Sequence, residues 1–175
     1  REAERYQSFL RLAGFWMVPP SWTPLCIAGE AGSKFDWEIL TRILRYLRHK
    51  VKLYLTTEDG EVEFEDIQGL ARAIHGHPMI SGICYPVPFS FANVGPWCST
   101  LASLPSLENV TLGFRQPEIE DQRDLVSLKP LKELLRTRAL RSVTFDGFFT
   151  DRLCHVVARA LKEGSSITDI TFKYD

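Results

Sequence analysis

Residues 150–172 read TDRLCHVVARALKEGSSITDITF, one helix followed by one strand. Thr150 and Asp151 open the helix, Cys154, Val157, Ala158 and Leu161 recur at helical spacing, and Gly164 stops it. Ile167, Ile170 and Phe172 then mark a short buried strand. The same pattern is written again upstream. The strand template apolar-x-x-apolar-x-apolar is met by Ile80, Ile83 and Tyr85, by Leu107, Val110 and Leu112, and by Leu140, Val143 and Phe145. The steps Ile80 to Leu107 and Leu140 to Ile167 are equal, and the step between them, Leu107 to Leu140, is longer. At one fixed offset ahead of these first positions stand Ile74, Leu101, Leu134 and Leu161, and at a second fixed offset Ala71, Cys98, Leu131 and Ala158. Weaker copies precede these. Leu53 and Leu55 stand a similar step before Ile83 and Tyr85, behind a helical pattern at 35–47, and Leu25 and Ile27 precede Leu53 and Leu55 in the same way.

A strand plus a helix cannot bury both of its apolar faces alone. Stacking successive units side by side does so, with parallel strands on one side, helices on the other and a continuous core between. The expected class is therefore α/β, built by repetition over residues 24–175. The runs at 157–172 (VARALKEGSSITDITF) and 70–80 (LARAIHGHPMI) resemble leucine-rich repeats of the ribonuclease-inhibitor type. That resemblance implies a solenoid of about five to six repeats. It also implies a non-enzymatic protein–protein interaction module, part of a larger protein. The Asn or Cys that the family carries just beyond the strand is missing, with Pro88 and Phe148 near that position.

Bulk composition narrows the function classes. Of 175 residues, 25% are charged and the net charge is -1, which offers nucleic acid no electrostatic footprint. No apolar run approaches the ~20 residues of a membrane-spanning helix. The chain begins at Arg rather than Met, so a trimmed leader or a larger parent protein stays open. Cys26 and Cys84 read as equivalent strand positions two units apart, about 10 Å at the usual strand spacing and beyond the ~7 Å reach of a disulfide. Cys98 and Cys154 fall on helices of separated units, and none of the four has CxxC spacing. Free thiols point to a reducing, intracellular setting, taken as cytoplasmic.

Residues 1–23 read as an opening helix, with Tyr6, Phe9, Leu10 and Leu12 apolar, followed by a proline-broken aromatic stretch. Trp16 and Trp22 would cover the raw end of the core, or the segment would be a joint to a preceding domain. Residues 28–34 (AGEAGSK) lie between a strand and a helix, where phosphate-binding loops also lie. Gly29 to Lys34 lacks the GxxxxGK spacing followed by a hydroxyl residue, so a turn with Ser33 capping the helix is the simpler reading. A nucleotide-binding or enzymatic domain using this loop is the competing one. No cofactor is expected. His75 and His77 flank Gly76 at a helix end with no third metal ligand near. His155 beside Cys154 points about 100° away on a helix, which is poor geometry for a catalytic pair. No metal or catalytic residue is assigned.

What remains is surface. Alternate strand positions face out from the sheet: Lys52, Tyr54 and Thr56; Gly82, Cys84 and Pro86; Asn109, Thr111 and Gly113; Ser142, Thr144 and Asp146; Asp169, Thr171 and Lys173. Only Tyr54 among them is an aromatic of the kind that anchors interfaces. The loops after the strands add Val87, Phe89 and Phe148 beside the acidic Glu118 and Glu120, a candidate partner-binding rim. Acidic runs at 58–66 and 117–124 precede helices, while Arg48, Lys50, His75, His77, Arg136, Arg138 and Lys162 follow helix ends. That distribution predicts one acidic and one basic edge, as helix dipoles favour. The partner is another protein of unknown identity, with neither nucleic acid nor membrane insertion. A regulatory or sensing domain of a multidomain protein is the second reading. The last strand would leave an open edge for further repeats or for self-association.

Overall fold

The computed structural model describes residues 2–22, 25–30, 34–56, 64–89, 91–114, 128–147 and 150–173, with the side chains at 2–4, 19–22, 56, 64–66, 86–89 and 91–93 left out. Among the described residues the elements run α1 (Glu2–Leu12), β1 (Phe15–Trp22), β2 (Leu25–Glu30), α2 (Trp37–Tyr46), β3 (Val51–Thr56), α3 (Phe64–Ile74), β4 (Ile80–Phe89), α4 (Phe91–Ala102), β5 (Asn109–Phe114), α5 (Lys129–Leu135), β6 (Ser142–Gly147), α6 (Asp151–Lys162) and β7 (Asp169–Lys173), with helices and strands alternating from β2 onward. They form an α/β protein with one seven-stranded sheet in the order β1-β2-β3-β4-β5-β6-β7. Every pairing from β2 to β7 is parallel, and only β1 runs antiparallel to its neighbour.

Register follows from burial. Leu53, Ile83, Val110, Val143 and Ile170 form one continuous row across five strands, and Leu55, Tyr85, Leu112, Phe145 and Phe172 occupy the same face. A one-residue slip anywhere would turn such a row to solvent, so the alternation pins the pairing. Ile74, Leu101 and Leu134 press on this face from α3, α4 and α5 and are fully buried, as are Leu40 and Leu44 from α2. All belong to a single hydrophobic core, which Leu10 and Ala13 extend to the first helix. The helices thus cover one face of the sheet and leave the other open.

Local chemistry explains the ends of the elements. Asp36 caps α2, its Oδ1 accepting from the Ile39 N–H at 3.0 Å. Thr150 does the same for α6, its Oγ1 accepting from the Leu153 N–H at 3.1 Å. Gly76, Gly147 and Gly164 take positive φ where the chain reverses after helices or leaves β6. Carbonyls near two helix C-termini also meet side chains from the following unit. His77 Nε2 meets the Leu44 carbonyl at 2.8 Å while its Nδ1 accepts from the Met79 N–H at 3.1 Å, which sets the Nε2–H tautomer. Ser165 repeats the device: its Oγ donates to the Leu135 carbonyl at 2.8 Å and accepts from the Ile167 N–H at 3.1 Å. These two side chains tie α2 to the loop after α3, and α5 to the loop after α6.

Four expectations are corrected. The proline-broken stretch after α1 is strand β1, tolerable at a sheet edge where proline's missing N–H is not needed by a second neighbour. Core coverage there comes from Phe15, whose ring stacks on Phe35 at 4.7 Å, while Trp16 faces outward opposite Ala28 and is 39% exposed. Trp22 is described by its backbone alone. The cap of α2 is Asp36, and Ser33 lies outside the described residues. In the first parallel pairing Leu53 lies opposite Ile27, not opposite Leu25. Strand alternation repeats every second residue, so both registers keep the same faces and the apolar pattern alone does not separate them. Cys26 therefore sits opposite Lys52, whereas Cys84 sits opposite Tyr54, one same-face step along.

Candidate interaction surface

The open face of the sheet is assembled mostly from short side chains, with Tyr54 on β3 and Trp16 on the edge strand β1 as its exposed aromatics. Two rows cross it. Cys26, Lys52, Gly82, Asn109, Ser142 and Asp169 form the first, and Ala28, Tyr54, Cys84, Thr111, Thr144 and Thr171 the second. Gly82 has a reason to lack a side chain: a Cβ there would come within 3.0 Å of the Lys52 Cγ, so the lysine stem lies over the glycine. Tyr54 stands 36% exposed between two cysteine-bearing strands. Partial desolvation holds its phenol above the ordinary tyrosine value, and the thiols of Cys26 and Cys84 add to the shift. Around Tyr54, Lys52, Cys84, Asn109, Thr111 and Thr144 the face dips into a hollow of about 160 Å³.

The remaining sequence-expected site residues are placed only in part. Val87 and Phe89 fall in the last residues of β4, where a register shift puts Pro88 rather than Pro86 opposite Gly113 and aligns Phe89 with Phe114. Their side chains, and the whole of Glu118, Glu120 and Phe148, lie outside the described residues. Tyr54 is therefore the one candidate whose setting is defined.

Gly29, read as part of a glycine-rich loop, is instead a β2 residue directly opposite Phe15. A Cβ at this position would fall 2.7 Å from the Phe15 ring and 3.1 Å from that of Phe35, so its glycine makes room for aromatic packing. Residues 31–33 lie outside the description. Among the described residues no group of three His, Cys, Asp or Glu side chains is placed to hold a metal ion, and no helix is long and apolar enough to cross a membrane. No disulfide joins the cysteines. Burial pushes the Cys98 thiol far above its ordinary value, which makes it an inert core residue.

The edge expected to be basic carries paired charge. Lys50 Nζ lies 2.6 Å from Glu108 Oε1, and Glu163 gathers Lys132 at 2.6 Å, Arg159 at 3.4 Å and Arg136 at 3.9 Å. The sequence runs that would make the other edge acidic lie largely outside the described residues.

A feature with little signal in the sequence lies on the helical side. Tyr6, Phe9 and Leu12 of α1 face Ile39, Ile43 and Tyr46 of α2 across a groove of about 630 Å³, with Arg5 and Arg42 at its margins. Phe9, Leu12 and Tyr46 are 55%, 67% and 72% exposed, the most open large apolar side chains of the described structure. Their spacing on two helices marks them as a pair of apolar stripes, but only the packing of α1 beside α2 brings them together.

Fold and surface together define an α/β protein whose mostly parallel sheet is covered by helices on one face and open on the other. No family model, curated protein or solved structure matches the chain.

Proposed function

We propose that the chain is a leucine-rich-repeat-type solenoid that acts as a non-enzymatic protein-interaction module, binding its partner on the open sheet face around Tyr54. The observation that carries this reading is an exposed aromatic set among small side chains on a face that no helix of the described residues covers. Aromatic side chains dominate interface energetics when their surroundings allow close approach, and Gly82, Cys84, Thr111 and Thr144 allow it. The hollow of about 160 Å³ argues against a small-molecule site, for which ~300–1,000 Å³ is usual. Strand–helix units that follow one another in sheet order support the solenoid.

A second reading has its own observation. The apolar groove between α1 and α2 is the kind of surface that a neighbouring domain covers, which suits a regulatory or sensing domain of a multidomain protein. One experiment separates the two. Proteins captured by the immobilised wild type are compared with those captured by Tyr54→Ala/Thr144→Arg and by Phe9→Ser/Leu12→Ser/Tyr46→Ser. The sheet-face reading predicts partners lost only with the first variant. Partners lost only with the second would transfer the interface to the groove, and a set unchanged by the first would reject the sheet face.

A further inference from the structure

The far edge of the sheet leaves apolar side chains partly open. Val143 and Phe145 of β6 are fully buried, because β7 covers them. One strand further, the residues of the same rows are Ile170, half-buried, and Phe172, 43% exposed although its ring stacks on Phe145 at 5.4 Å. Among the described residues no strand pairs with the outer edge of β7.

The residues of β7 are complementary to themselves. An antiparallel two-fold pairing must be centred on a residue, since opposed residues have to share both face and hydrogen-bonding direction. Centred on Thr171, it sets Asp169 opposite Lys173 of a second copy, Ile170 opposite Phe172, and Thr171 opposite Thr171. Every position of the strand pairs, and each pair matches in chemistry. The apolar pairs fall on the core face and the charged pairs on the open face, where Asp169 and Lys173 are both exposed. Backbone direction agrees. The Asp169 N–H donates inward to the Arg141 carbonyl at 3.1 Å. By the alternation of a ladder, Ile170 and Phe172 then present their N–H and C=O groups outward. Those are the residues that this register joins by hydrogen bonds. A lysine on an edge strand ordinarily keeps copies apart; here an aspartate stands at the position that neutralises it. Moving the centre to Ile170 or Phe172 loses the Asp169–Lys173 pairs.

We propose that β7 is a homodimerisation edge, joining two copies antiparallel about Thr171 into one continuous sheet, with Asp169 of each chain paired to Lys173 of the other. This is independent of the partner read for the Tyr54 face. The test is sedimentation equilibrium of the 20.0 kDa chain and of charge variants, with far-UV circular dichroism checking that each is folded. Wild type is expected to dimerise. Asp169→Lys and Lys173→Asp each place like charges opposite one another twice per dimer and should weaken it about tenfold or more. An equimolar mixture of the two variants restores opposite charges at both ends and should recover association, as should the double variant Asp169→Lys/Lys173→Asp. A wild type that stays monomeric, or an assembly indifferent to these charges, overturns the proposal.

Discussion

The Lys50 ammonium and the Glu108 carboxylate meet at 2.6 Å, bridging the chain just before β3 to the chain just before β5 and passing over the entry to β4. The pair therefore spans two strand spacings, and both side chains are half-exposed. Exposed pairs of this kind contribute about 0.2–1 kcal/mol and are screened by salt. Lys50→Ala should lower unfolding free energy by no more than ~1 kcal/mol, with the difference shrinking in high salt. Chemical denaturation at two ionic strengths checks it, and a larger, salt-insensitive loss would mean that the contact acts through packing.

Gly29 makes a sharper prediction. Its missing Cβ leaves space for Phe15, which completes the aromatic cluster with Phe35 and Trp37 at 4.7 and 5.9 Å. Gly29→Ala should cost roughly 1–3 kcal/mol, the usual penalty for overfilling a packed core. Thermal melts of the variant beside Phe15→Leu/Gly29→Ala test the cause. A smaller ring-free partner should recover part of the loss, and no recovery would place the strain elsewhere.

Glu163 ties α6 to α5. The hydrogen bond from Lys132 is the largest influence on its carboxyl and holds it below the ordinary value; burial opposes, and the charges of Lys132, Arg159 and Arg136 assist. A carboxyl whose pKa is lower in the folded than in the unfolded chain adds stability above the unfolded value, about 4.3 for Glu, and loses it as pH falls through the folded one. Glu163→Gln should thus be less stable than wild type near neutral pH, and the two should converge below that range. Melting temperatures from neutral to acidic pH measure this. A gap that persists in acid would show that shape, not charge, matters at this site.

The rows on which the sheet is built were legible because burial leaves a period in the chain. Ile83, Val110, Val143 and Ile170 are spaced as the strands they sit on are stacked. Legibility fails where the pattern is degenerate or where only three dimensions supply the partner. Sliding a strand to its next same-face position leaves the alternation intact, so Ile27 aligns with Leu53 although Leu25 fits as well by pattern. Pro19 and Pro20 disguise β1, because propensity carries no information about which strand will lie at an edge. Gly29 resembles a loop glycine until the ring of Phe15 is seen against it. Tyr54 stood out in sequence as the aromatic of the open face, and the structure adds its two cysteine neighbours. The groove between α1 and α2 left no comparable mark, since it depends on how two helices sit side by side.

The most direct test is of the stacking itself. Cys84 lies opposite Thr111 on the neighbouring strand, and Thr144 lies one strand further. Adjacent strands bring Cα atoms to ~5 Å, within disulfide reach, whereas two strand spacings are ~10 Å and outside it. Mild oxidation of Thr111→Cys should yield an intramolecular bond to Cys84, identified by peptide mass spectrometry, and Thr144→Cys should yield none to Cys84. A Cys84–Cys bond at position 144 but not at 111 would contradict the chain-order parallel sheet on which the interaction face and the β7 edge both depend.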